Sequence, residues 1–104
     1  MPDPSARSSA RNAIVTIRTI VTRGAEIVLD DIGDGEPTLI FLHYWGGSAR
    51  TWTPVVARLP AMIRKVVLNH RGWGGSRSTD GHYGLQALAD DVIDTVEALS
   101  LIHI

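Results

Sequence analysis

Two glycine-containing segments carry the groups best suited to chemistry. The first, residues 42–48, reads LHYWGGS, and the second, residues 69–76, reads NHRGWGGS. Each follows a short apolar run, which predicts a strand-to-helix turn. Backbone N–H groups in such a turn, near a helix amino terminus, can point at a developing negative charge. The first segment alone fits a plain tight connection more simply, so only the two segments together indicate chemistry.

Neither segment supplies a nucleophile. Ser48 and Ser76 each follow a glycine pair, but the final glycine of a G-x-S-x-G nucleophile elbow is missing from both segments. We interpret both serines as turn or helix-cap residues. His70 and His82 fall in predicted loops, and no pairing of histidine with carboxylates indicates a metal site. We therefore predict no metal and no cofactor.

Strands are predicted in the first two thirds of the chain. Residues 14–21 and 26–31 are β-branched and partly alternating, which predicts an antiparallel hairpin. Residues 38–42 and 65–68 are short apolar runs, as expected for parallel neighbours covered on both faces. The stretch 51–59 between them predicts a crossover helix that starts at the Thr53-Pro54 pair and stops before Pro60.

The clearest helix is predicted over residues 85–99. Its apolar stripe comprises Leu85, Leu88, Val92, Val96 and Leu99. The acidic residues Asp90, Asp91, Asp94 and Glu97 are expected on a solvated face. The whole pattern predicts an α/β fold.

The two turns, at this separation, resemble those of the α/β-hydrolase family. In that family a His-Gly turn follows the third strand, and an Asp-x-Arg-Gly-x-Gly-x-Ser turn follows the fourth. The resemblance covers roughly residues 24–98, with Tyr44 where Gly is usual and Asn69 where Asp is usual. It implies an incomplete α/β-hydrolase sheet, with an amino-terminal hairpin, two parallel strands and two crossover helices.

The resemblance also implies roles for individual residues. The backbone N–H of Trp45 would donate to an oxyanion, and its indole would line the pocket. The structural residues of the turns would be His43, Gly46, Gly47, Asn69, Arg71, Gly72 and Gly74. The parent protein would be a cofactor-independent hydrolase that cleaves an ester or related small-molecule bond by nucleophile–His–acid catalysis. This chain by itself is predicted to be inactive.

Two other functions remain open at this point. A non-catalytic member of the fold would bind a small ligand without converting it. A nucleotide-binding module would hold a pyrophosphate on the glycines after residue 71, but the stretch 72–77 fails G-x-G-x-x-G at its last position. Trp73 would also crowd the phosphate, so this is the weaker alternative.

Composition sets further expectations. The chain has 104 residues, a formal net charge of -1 and no cysteine. These values favour a cytoplasmic protein with a small-molecule substrate, no nucleic-acid partner and no membrane partner, and they leave the oligomeric state open. Residues 1–12 are predicted to be a flexible lead-in, and 13–104 the amino-terminal part of the hydrolase domain, truncated before the nucleophile elbow.

The last six residues have two interpretations. LSLIHI, residues 99–104, is identical to a translation of a common transposase adaptor, CTG TCT CTT ATA CAC ATC, which suggests a library-preparation artefact. The same letters also fit a native helix end followed by the start of a strand. Under both interpretations the sheet would be incomplete, and an apolar strand would have an exposed, unpaired edge. The isolated chain should therefore be poorly soluble or only partly ordered.

Overall fold

A computed structural model describes residues 14–99. The predicted lead-in, and all but the first residue of the possible adaptor segment, lie outside the described residues. Strand β1 (Val15–Val21) pairs antiparallel with β2 (Ala25–Ile32). Alternate residues of β2 are buried, as expected where one face of a strand packs on a core. The predicted hairpin is confirmed.

The parallel pair is also confirmed. Strand β3 (Thr38–Phe41) runs parallel to β4 (Arg64–Leu68), and β4 pairs antiparallel with β2. The sheet order is β1-β2-β4-β3, and a two-residue strand β5 (Arg77–Ser78) extends the pairing of β2. The expectation that both central strands are covered on both faces is wrong for β3, which is half-exposed because it borders the described sheet and pairs there with β4 alone.

The first crossover helix is shorter than predicted. A 3-10 turn over Ala49–Trp52 leads into a single helical turn, α1 (Thr53–Val56). Ser48 caps the 3-10 turn, where its Oγ accepts from Arg50 N. The predicted Thr53 cap is wrong, because Thr53 is the first residue of α1 and the residue before it, Trp52, makes no side-chain cap bond. After α1 the backbone bonds span three residues instead of four, so the helix tightens and stops before Pro60.

The second helix, α2 (Leu85–Ala98), occupies its predicted place, and Leu88, Val92 and Leu99 of its predicted apolar stripe face the core. The same face also buries two polar residues, Asp91 and Thr95, whereas Leu85 of the stripe is 85% exposed. The prediction of a solvated acidic face is therefore wrong at Asp91, because a buried arginine on the sheet side requires a counter-ion.

The core lies between the sheet and α2. Its fully buried members are Ala25, Ile27, Leu29, Val66 and Leu68, and the partly buried residues packed on them include Val92 and Leu99 of α2. This packing anchors the carboxyl ends of β3 and β4, where both glycine-containing turns begin. Within residues 14–99, no helix is long and apolar enough to cross a membrane.

Candidate active site

The two turns predicted from the sequence lie side by side. They follow β3 and β4, and parallel neighbours end at the same edge of a sheet. One hydrogen bond joins them directly: His70 N donates to His43 Nε2 at 2.9 Å. A second bond joins Asn69 of the second turn to the residue after the first segment, because Ala49 N donates to Asn69 Oδ1 at 2.7 Å. The imidazole centroids of His43 and His70 are 4.5 Å apart. The turns therefore form one connected unit.

The first turn is a tight four-residue turn over residues 44–47. Gly47 N donates to Tyr44 O at 2.9 Å, and Gly46 has φ +86°, a value that favours glycine at the third position of such a turn. A Cβ at Gly47 would come within 3.1 Å of Tyr44 O and 2.8 Å of Thr51 Oγ1. Both glycines are thus required by the local backbone path.

Trp45 lies at the second position of this turn. Among residues 14–99, no acceptor is hydrogen-bonded to its backbone N–H. Its side chain is 64% exposed and meets the Trp73 ring edge-to-face, with the centroids 4.5 Å apart. Trp45 therefore combines an amide that has no partner among the described residues with an indole ring that packs on Trp73. The role of Trp45 as an oxyanion donor stays a prediction.

His43 is buried beneath the first turn. Its Nδ1 lies 2.7 Å from Tyr44 O, while its Nε2 accepts from the backbone of the second turn. With both ring nitrogens occupied by backbone groups, His43 has no free nitrogen to act as a base. These contacts join His43 to both turns, and its structural role stays a prediction.

Asn69 holds the second turn to two other elements. Its Oδ1 receives the Ala49 N–H, and its Nδ2 donates to Val28 O on β2 at 2.9 Å. A Cβ at Gly74, whose φ is +58°, would overlap the Asn69 side chain. The amide side chain therefore supplies both an acceptor and a donor at the position where the family usually has Asp.

Arg71 is 1% exposed, and its guanidinium is held from three sides. It makes a bidentate pair with Asp91, both distances being 2.8 Å, and it donates to Asp80 and to the His82 carbonyl. The Asp91 carboxylate raises the pKa of Arg71, against the effect of burial. Arg71 thus connects the second turn to α2 and to the segment before it through two carboxylates and a carbonyl.

The sequence did not predict that Asp91 is the buried partner of Arg71. Asp91 also accepts from Thr22 Oγ1 at 2.8 Å, so α2, the hairpin loop and the second turn meet at one carboxylate. One signal was present in the sequence: Asp91 is three residues after Leu88 and four before Thr95, on the inward face of the helix.

The second turn uses its own amides internally. The N–H groups of Gly72, Trp73 and Ser76 donate to the carbonyls of Ser76, His70 and Trp73. Ser76 Oγ accepts from Val28 N and donates to Asn69 O, both at 2.7 Å. These amides are not free to cradle a phosphate, and the Ser76 hydroxyl serves as a turn residue, as predicted.

His70 is a buried titratable residue of the site whose pKa is lowered. Burial is the main cause that lowers its pKa, and the adjacent His43 acts in the same direction. Its Nδ1 is buried, and no partner for it exists among residues 14–99. In the same described range, no group of three or more His, Cys, Asp or Glu side chains is placed to hold a metal ion.

Comparison with known proteins identifies the architecture. No protein-family model matches the chain. The chain is 40% identical over 68 residues to "Putative carbamate hydrolase RutD" of Agrobacterium fabrum. Among solved structures, a haloalkane dehalogenase variant of Agrobacterium tumefaciens is similar with a TM-score of 0.75 and 25% identity, over 88% of this chain and 32% of that one. The chain belongs to the α/β-hydrolase fold family.

The α/β-hydrolase relatives are much longer than this chain. The matched part covers 62% of this chain and 25% of the carbamate hydrolase. A further relative is 29% identical over 89 residues, covering 85% of this chain and 32% of its own length, and is named 2-heptyl-3-hydroxy-4(1H)-quinolone dioxygenase of Mycobacteroides abscessus. The chain thus spans about a quarter to a third of the relatives it matches.

Proposed function

We propose that this chain supplies the oxyanion-binding turn of a cofactor-independent α/β-fold hydrolase. The observation that carries the proposal is the backbone N–H of Trp45, which no other residue in 14–99 engages and which lies in a braced turn at the carboxyl end of β3. A preorganised donor of this kind stabilises the negative charge that develops on a carbonyl oxygen under nucleophilic attack.

Such an enzyme needs two oxyanion-hole donors as well as a nucleophile, a base and an acid. One oxyanion-hole donor contributes about 2.7–4 kcal/mol of transition-state stabilisation. The second donor is the amide that follows the nucleophile in a G-x-S-x-G elbow, a pattern that does not occur in these 104 residues. The nucleophile, the histidine base and the acid would therefore come from further sequence of the parent protein, and this chain alone would be inactive.

The proposed substrate is a small molecule with an ester or related acyl bond. The carbamate hydrolase relative supports acyl chemistry, because a carbamate carbonyl also becomes an oxyanion under attack. The edge-to-face pair of Trp45 and Trp73 would cover an uncharged part of the substrate. The absence of cysteine supports a cytoplasmic location for the parent protein.

The test removes a single N–H from the full-length protein. Trp45→Pro deletes the amide donor, and Pro suits the second position of a four-residue turn. Trp45→Phe keeps the amide and serves as the matched control for loss of the indole. With a panel of nitrophenyl esters, we expect kcat of Trp45→Pro to be about 100- to 1000-fold below that of Trp45→Phe. Equal kcat values for the two variants would refute the proposal.

A second candidate activity comes from the dioxygenase relative. Its name indicates that a protein similar to this chain over 89 residues uses oxygen instead of water. The two reactions differ in a simple measurement, because an oxygenase consumes O₂ and a hydrolase does not. We expect the full-length protein to turn over ester substrates with no uptake at an oxygen electrode, and substrate-dependent O₂ uptake would favour the second activity.

A further inference from the structure

The orientation of the Trp45 N–H depends on what holds the carbonyl of the same peptide. The Tyr44–Trp45 peptide is planar and trans, so its C=O and N–H point in opposite directions. Tyr44 O accepts one hydrogen bond from Gly47 N at 2.9 Å and lies 2.7 Å from His43 Nδ1. A group that fixes the direction of the Tyr44 carbonyl therefore also fixes the direction of the Trp45 N–H.

The protonation of His43 follows from its second contact. The backbone N–H of His70 can only donate, so His43 Nε2, 2.9 Å away, must carry the lone pair. The ring proton of the neutral imidazole is then on Nδ1, where it is donated to Tyr44 O. The opposite tautomer would place two N–H groups against each other at Nε2 and two lone pairs against each other at Nδ1.

The donor that selects this tautomer is itself held in place. His70 lies between Asn69 and Arg71, and both of these side chains are buried. Asn69 is bonded to Ala49 N, at the start of the 3-10 turn that follows the first turn, and Arg71 is bonded to Asp91 on α2. The backbone around the His70 N–H is thus held by the sheet, by the segment that follows the first turn and by the second helix.

We infer that His43 is a positioning residue that aims the Trp45 N–H through the Tyr44 carbonyl, with the Nδ1–H tautomer set by the His70 amide. The inference rests on the proposed function. The same hydrogen bond polarises the Tyr44–Trp45 peptide, which makes its N–H a stronger donor. His43 does not touch the reacting atoms.

The kinetic test compares two substitutions in the full-length protein. His43→Leu removes both ring nitrogens, whereas His43→Asn retains an N–H close to the position of Nδ1 and can still donate to Tyr44 O. We expect His43→Leu to lower kcat roughly 10- to 100-fold with KM changed less than about threefold, and His43→Asn to recover most of that loss. His82→Leu, at an exposed histidine, is the matched control.

The spectroscopic test does not depend on activity. Long-range ¹H–¹⁵N correlation spectra of the full-length protein at neutral pH should show His43 as the Nδ1–H tautomer. An Nε2–H tautomer would overturn the inference, as would equal kcat values for wild type and His43→Leu, or equal losses in the Leu and Asn variants. If Trp45→Pro loses activity while His43→Leu does not, the inference alone fails; if Trp45→Pro is fully active, the proposed function fails.

Discussion

The buried Arg71–Asp91 pair is the contact whose loss should cost the most stability. Both side chains are 1% exposed, and two parallel hydrogen bonds of 2.8 Å join them. Asp91→Asn preserves the side-chain volume but removes the negative charge. Arg71 would then remain ionised in the interior, with Asp80, which is 38% exposed, as its only carboxylate among the described residues.

The expected magnitude follows from this geometry. Removing one partner of a buried ion pair typically costs about 3–5 kcal/mol, because the other charge is left uncompensated. Asp80 and the His82 carbonyl still contact the guanidinium, so the lower end of that range, about 3 kcal/mol, applies here. Because the relatives are much longer than this chain, a urea m-value of about 3 kcal/mol/M applies, and the unfolding midpoint should fall by about 1 M.

Urea unfolding of the full-length protein, followed by tryptophan fluorescence and far-UV circular dichroism, would measure this loss. Asp90→Asn is the matched control: Asp90 is on the same helix, 23% exposed and 3.7 Å from Arg23, and its loss should cost less than about 0.5 kcal/mol. In an Arg71→Met background, the cost of Asp91→Asn should fall below about 1 kcal/mol, because no buried cation remains. An undiminished cost in that background would refute the ion-pair reasoning.

Three further predictions concern the turns and their titration. Gly74→Ala should cost about 1–3 kcal/mol more in urea unfolding than Gly81→Ala, because both glycines have positive φ but only at Gly74 would the added Cβ overlap another side chain, that of Asn69. Asn69→Leu should be less stable than Asn69→Asp by about 1–3 kcal/mol, since Asp still accepts the Ala49 N–H; equal midpoints would contradict this. The pKa of His70 is lowered by burial, so the unfolded state binds the proton first, and stability should decline as pH falls below about 6.5, the unfolded value. A titration of unfolding free energy against pH should show a smaller decline in His70→Gln than in the wild type.

Local patterns were enough to predict the scaffold. The β-branched alternation of the first strands predicts the hairpin, since side chains of a strand alternate between its two faces. The apolar runs before the two glycine-containing turns predict the parallel pair, and the turns themselves indicate the family. The fold class and the location of the candidate site could therefore be read from residues that are close in the chain.

The tertiary structure decided which polar groups meet. Asp91 pairs with Arg71 across 20 residues and with Thr22 across 69, and a carboxylate in a helix looks solvated until the helix is placed on the sheet. The tautomer of His43 likewise depends on an amide 27 residues away. Secondary structure follows from short-range periodicity, whereas burial and the choice of hydrogen-bond partner follow from how the elements pack. Only the packed chain shows that a polar residue has exchanged water for a fixed partner.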